Sequence, residues 1–144
     1  MMNGPATTSI ADRSVADVMS TDLLTLKLND TLRLADDMLN LAQVRHFPVL
    51  DGDRVAGIVN HDDLLHASMA SLLRRPNDSP REALGAVAIK DIMKAATTVS
   101  PDTSIRSAAE TMVETGIEVL LVVNGEKLVG LVTRTDLLRE LARR

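Results

Sequence analysis

The sequence predicts an α+β fold in which one α-β-α-β-β-α unit is used twice. Three observations carry this reading. Residues 31–65 lie over residues 104–138 at a constant offset of 73, without a gap. Nine positions are identical: Arg33/Arg106, Ala35/Ala108, Val49/Val122, Gly52/Gly125, Gly57/Gly130, Val59/Val132, Asp63/Asp136, Leu64/Leu137 and Leu65/Leu138. Each copy holds two apolar runs of strand length around a glycine turn, Asp51-Gly52 or Asn124-Gly125. Each copy also has stretches in which apolar residues recur at helical spacing. Chance likeness between amphipathic segments would not keep glycines, an aspartate and the apolar positions in one register.

The elements follow in order. The first unit, residues 14–73, opens on a helical turn carrying Val15, Val18 and Met19. With one residue slipped, its VADVM matches IKDIM of the second unit, where Ile89, Ile92 and Met93 take the same places. A strand around Leu24–Leu28 follows, then a helix with Leu32, Ala35, Leu39 and Ala42 on one face. Phe47–Leu50 and Val55–Val59 form a hairpin, with Asp51 and Gly52 expected at its tip in positive φ. A last helix begins near His61. The second unit, residues 88–144, repeats this with a strand at Thr97–Ser100 and a helix on Ile105, Ala108 and Met112. Its hairpin joins Val119–Val123 to Leu128–Val132, and its last helix begins near Arg134. Residues 74–87, with Pro76 and Pro80, read as a linker, and residues 1–13 as a disordered N-terminus. A unit of about 55 residues buries too little surface alone, so the copies are expected to share a core.

Composition narrows the function. The core must be aliphatic: 21 Leu, 14 Val, 6 Ile and 7 Met accompany a single aromatic residue, Phe47. The net charge of −4 leaves no domain-wide basic footprint, and the lack of Tyr and Trp leaves no stacking platform, so nucleic acid is not an expected partner. The absence of cysteine removes disulfides, thiol catalysis and thiolate metal sites, and fits a reducing cytoplasm. No apolar run approaches the roughly 18 residues of a membrane span, and MMNGPATTSIADR does not read as a signal peptide. A cytoplasmic protein without membrane insertion is expected.

No Ser-His-Asp, lysine-base or paired-acid constellation emerges, and no Gly-x₄-Gly-Lys loop. No catalytic residue and no required cofactor is therefore expected. His61, Asp62 and Asp63 are adjacent at a helix start and point different ways, so no metal site is expected. Met38, Met69 and Met112 read as core filling.

The repeated signature is Gly57-Ile-Val-Asn60-His-Asp-Asp63 and Gly130-Leu-Val-Thr133-Arg-Thr-Asp136. Each places a cap-forming residue where a strand enters a helix, with a carboxylate three positions on. That pattern is close to a capping box. The same geometry offers an anion the free N–H groups and positive dipole end of a helix, and offers a ribose diol a two-oxygen acceptor. From the residues alone both readings stand.

With the Asp-(Val/Ile)-Met opening and the His46-Phe47-Pro48-Val49 strand start, the signature resembles the cystathionine-β-synthase (CBS) domain family. Two copies resemble a free-standing tandem pair, a Bateman module, packed about a pseudo-two-fold axis. The resemblance implies a sensor that binds AMP, ADP or ATP, with NAD and S-adenosylmethionine as further candidates. The ligand would shift the packing of the module and so signal to a regulated protein that the sequence does not name. The resemblance also implies two sites. One pairs Leu131, Thr133, Arg134 and Asp136 with Leu23, Leu24, Val44, Arg45 and His46. The other pairs Ile58, Asn60 and Asp63 with Ala96, Thr97, Ile117, Glu118 and Val119. The aspartate would hold the ribose, the residue three before it would lie near sugar and phosphate, and adenine would sit among aliphatic side chains. Leu121 stands where the first copy has Pro48, and Asn60 where the family has Thr or Ser. Arg45, His46 and Arg134 favour phosphate at the first site and Glu118 opposes it at the second, so the Asp136 site is expected to be the tighter.

Two other classes remain: a constitutive dimerisation module with vestigial sites, and an enzyme acting on the bound nucleotide. Wide apolar stripes on the last helices, Leu64, Leu65, Met69, Leu72 and Leu73, and Leu137, Leu138, Leu141 and Ala142, predict a homodimer with an isologous contact.

Overall fold

The computed structural model describes residues 9–41 and 44–143. In the first repeat a 3₁₀ turn at Val15–Asp17 leads to β1 (Leu26–Lys27), α1 (Leu32–Leu41), β2 (His46–Asp51), β3 (Arg54–Asn60) and α2 (His61–Arg74). The connecting segment holds a helix, α3 (Pro80–Gly85). The second repeat then runs through a 3₁₀ turn at Ile89–Asp91, β4 (Thr98–Val99), α4 (Ile105–Thr115), β5 (Val119–Asn124), β6 (Lys127–Thr133) and α5 (Arg134–Ala142). The class is α+β, as the periodicities predict. Ala42, expected on the apolar face of α1, lies outside the described residues, as do residues 1–8 of the N-terminus expected to be disordered. Residues 9–13 depart from that expectation. Ser9 caps a 3₁₀ turn at Ile10–Asp12, and Arg13 pairs with Glu140 at 2.6 Å.

The chain divides into two compact units, Met1–Asp22 with Thr97–Arg144, and Leu23–Ala96. These do not coincide with the two repeats. The opening turn of each repeat packs into the unit whose hairpin the other repeat supplies, so the expected shared core is realised as two cores.

In the Leu23–Ala96 unit, β1 runs parallel to β2, with Leu26 beside Val49. β2 pairs antiparallel with β3, from His46↔Asn60 to Asp51↔Arg54. Burial is continuous over Phe47–Val49 and Gly57–Val59, and the core gathers Leu26, Leu32, Ala35, Phe47, Val49, Val59, Leu64, Leu84 and Ile89. Leu84 comes from α3 and Ile89 from the second repeat's opening turn. The expected linker is thus part of the core: Ser79 caps α3 by accepting from the Glu82 N–H at 3.2 Å, Pro80 sits in its first turn, and Ser71 Oγ donates to the Ala83 carbonyl at 2.5 Å. The second opening turn is anchored where Ile89 N–H donates to the Asp30 carbonyl at 2.7 Å, and where Ile58 and Lys94 exchange two backbone bonds of 2.9 Å.

The other unit repeats this architecture. β4 is parallel to β5, and β5 pairs with β6 from Val119↔Thr133 to Asn124↔Lys127. Its core is Val15, Ala108, Met112, Leu120, Val122 and Val132. Val15, from the first repeat's opening turn, is fully buried, which is worth about 1.5–3 kcal/mol for such a side chain. Val15 N–H donates to Thr103 O at 2.8 Å, and Ser20 and Leu131 exchange bonds of 2.8 and 3.0 Å, matching the anchors of the first unit.

Two local expectations are corrected. The two-residue hairpin loops are Gly52-Asp53 and Gly125-Glu126, one position later than expected, since Asp51 pairs with Arg54 and Asn124 with Lys127. Gly52 and Gly125 have φ of 63° and 67°, and no described non-glycine residue has positive φ. Glycine at the first loop position is the pattern of a type II′ turn, whose twist matches the strands. Met69 is 62 % exposed and fills no core, because it lies on the outer face of α2, whereas Met112 is buried.

Candidate functional site

Strand β6 ends at Thr133, which serves as N-cap of α5. Its backbone is extended while the next residues turn helical, so the first N–H groups of the helix lack carbonyl partners. Thr133 Oγ1 accepts from the Asp136 N–H at 3.1 Å, and Asp136 Oδ2 accepts from the Thr133 N–H at 2.8 Å. The capping box is therefore real. It uses only part of the acceptor capacity of the carboxylate, which has about four lone-pair sites. The other oxygen, Oδ1, stands 3.6 Å from Arg139, and the carboxylate is only 14 % exposed. The cap thus fixes the orientation of a nearly buried anion.

The same unit carries Leu131, Arg134, Thr97, Ile117, Glu118 and Val119. Val119 lies opposite Thr133, and Leu131 opposite Leu121. Thr97 accepts from the Leu121 N–H at 2.9 Å. Arg134 donates its backbone N–H to Glu118 O at 2.9 Å, and its guanidinium meets the Glu118 carboxylate at 2.9 Å. The sequence reading gave these two charges opposite roles at separate sites. Their ion pair joins them, so neither acts as a bare charge, although both are largely exposed and the pair is weak.

The Leu23–Ala96 unit carries a cap of the same kind. β3 ends at Asn60, the N-cap of α2, and Asp63 Oδ2 accepts from the Asn60 N–H at 3.1 Å. Asn60 Oδ1 lies 2.9 Å from His46 Nδ1 across the hairpin, which ties one residue of each expected set to the other. His61 N–H donates to the Arg45 carbonyl at 2.8 Å, while the Arg45 side chain is exposed. Leu23, Leu24, Val44 and Ala96 are half-buried, and Ile58 is buried in β3. Each expected set is thus divided between the two compact units.

The residue that sequence reasoning missed is Lys94. Its Nζ lies 2.9 Å from Asp63 Oδ1. That hydrogen bond, reinforced by the carboxylate charge, holds the ammonium above its usual pKa. Lys94 follows the Met of its opening turn, where the first repeat has Ser20. The substitution is visible in the alignment, but its consequence depends on where the turn docks.

Among the described residues no three His, Asp or Glu side chains gather as metal ligands, and no helix is long and apolar enough to cross a membrane. An apolar groove of about 560 Å³ in the other unit, lined in part by Ile10, Ile105, Val113, Leu137, Leu138 and Leu141, contains none of the expected site residues.

Comparison with known proteins agrees with the repeat. The CBS domain family matches twice, over residues 15–70 and 76–143. A CBS domain-containing protein of Dictyostelium discoideum is 33 % identical over 127 residues, covering 86 % of this chain and 88 % of that protein. An A-adding tRNA nucleotidyltransferase of Geobacter sulfurreducens is 35 % identical over 127 residues, covering 88 % of this chain. The chain spans only 13 % of the length of that enzyme. The crystal structure of CBSX2 in complex with AMP superposes with a TM-score of 0.73 at 26 % identity, covering 91 % of this chain and 97 % of that one.

Proposed function

The chain belongs to the CBS domain family and carries two copies of it, and from that premise we propose a non-catalytic regulatory module that binds adenosine-containing ligands, with AMP foremost. The observation that carries this reading is the pair of matched strand-to-helix caps. Each holds a carboxylate 14–15 % exposed at the third helical position, with an oxygen beyond the one that caps the helix. A similar chain is solved with AMP bound. Asp136 and Asp63 are the proposed ribose acceptors, and Thr133 and Asn60 their neighbours at sugar and phosphate. The remaining residues keep the assignments that the resemblance implies. Absence of cysteine supports a cytoplasmic setting.

The module is also proposed to form a homodimer through its last helices. Leu65, Leu73, Leu138 and Leu141 are between 48 and 80 % exposed in the single chain, and a second copy would cover them. Calorimetric titration with AMP, ADP and ATP tests the binding reading. Saturable heat with at least one of them is expected. No heat with any of the three favours the constitutive dimerisation module, in which the aspartates serve only as caps.

A further inference from the structure

The two half-sites differ in one group that the repeat does not share. Ser20 and Lys94 hold equivalent places: each exchanges a pair of backbone hydrogen bonds with the strand residue after the signature glycine, Leu131 or Ile58. Only Lys94 carries a charge, and that charge rests on Asp63 at 2.9 Å. The carboxylate proposed to receive a ribose diol is therefore engaged on both oxygens, by Asn60 N–H on Oδ2 and by Lys94 on Oδ1. At Asp136 the Oδ1 contact is a looser 3.6 Å to Arg139.

We propose that Lys94 is the specificity determinant of the Asp63 half-site: a counter-ion that pairs with Asp63 when the half-site is empty and turns to the phosphate of a bound nucleotide. This inference rests on the proposed nucleotide-binding function. The Lys94 side chain is 67 % exposed, so its ion pair with Asp63 costs little to exchange for another anion. A diol arriving at Asp63 displaces the ammonium from Oδ1. In a nucleotide only the sugar ring separates that diol from the phosphate, a span that the flexible four-carbon lysine stem covers. A nucleoside displaces the same ammonium and gives it no new partner. The half-site that sequence reading leaves without a free cation thus obtains one from the other repeat's opening turn, and obtains it in a form that rewards phosphate.

The backbone bonds to Ile58 do not involve the side chain, and Ser20 makes the same bonds to Leu131, so Lys94→Ser preserves the fold. The test follows the Asn60 amide, which donates to Asp63, by NMR during titration with adenosine and with AMP. In the native protein AMP is expected to bind at this half-site at least about fivefold more tightly than adenosine. In Lys94→Ser the preference collapses towards parity, through weaker AMP and equal or tighter adenosine, and Lys94→Arg restores it. An unchanged preference in Lys94→Ser overturns the role of Lys94 and leaves nucleotide binding intact. If neither ligand moves any amide of the native protein, the nucleotide-binding function itself fails.

Discussion

Gly57 and Gly130 show how much one hydrogen atom decides in this chain. A methyl group on Gly57 would lie 2.6 Å from the Lys94 carbonyl oxygen and 3.0 Å from Met93 Sδ. On Gly130 it would collide with Met19 Sδ and lie 3.1 Å from the Ser20 carbonyl. Backbone cannot yield as a thioether can, so Gly57→Ala should cost more than Gly130→Ala, within the roughly 1–3 kcal/mol of core overpacking. Urea denaturation measures both. In a Met19→Ala background the cost of Gly130→Ala should shrink; equal costs in both backgrounds would contradict the contact. The glycines were legible as a repeated pair. Their reason was not, because the colliding atoms come from an opening turn far away in sequence. Lys94 escaped notice for the same cause: its charge matters through docking, while Asp63 and Asn60 are neighbours along the chain. Arg134 and Glu118 could be placed by position, but their ion pair depends on the hairpin register that sets Val119 against Thr133.

Among the elements, those with local signals are legible in the sequence. Helices α2 and α5 begin at His61 and Arg134, where a capping residue follows an apolar strand, and both hairpins lie where the apolar runs and glycine put them, with their loops one position later. Pro76 and Pro80 suggest turns, so the sequence reads as a linker where the structure has helix α3. Yet Ser79-Pro80-x-Glu82 is itself a helix start, a cap followed by proline and an acid at the third position. The position of Leu84 in the core makes α3 a structural element and not a tether. Leu84→Ala should therefore destabilise the protein by about 2–5 kcal/mol, as buried leucines do. A loss from Leu84→Ala of no more than about 0.5 kcal/mol, the range of an ordinary surface substitution, in thermal or urea unfolding would show α3 to be a passive linker.

At the scale of the whole molecule, the two repeats cannot be separated into two domains by cutting between them, because each compact unit takes its opening turn from the other repeat. Repeat boundaries are visible in sequence, whereas the exchange of turns requires contacts of long range. A second copy covering the leucines of α2 and α5 should give a light-scattering mass near twice 15.5 kDa at micromolar concentration, and a mass of one chain would rule that contact out. The two caps still differ, since Thr133 supplies a hydroxyl where Asn60 supplies an amide, while the Arg134–Glu118 pair narrows the contrast in charge that the sequence leads one to expect. The central claim is that the N3 carboxylates receive a ligand as well as capping a helix. Calorimetry of AMP binding to the native protein and to folded Asp136→Ala tests it most directly. Loss of a charge-assisted bond of about 1.5–3 kcal/mol should weaken the tighter site at least about tenfold. Undiminished affinity in Asp136→Ala would mean that Asp136 is a cap and nothing more.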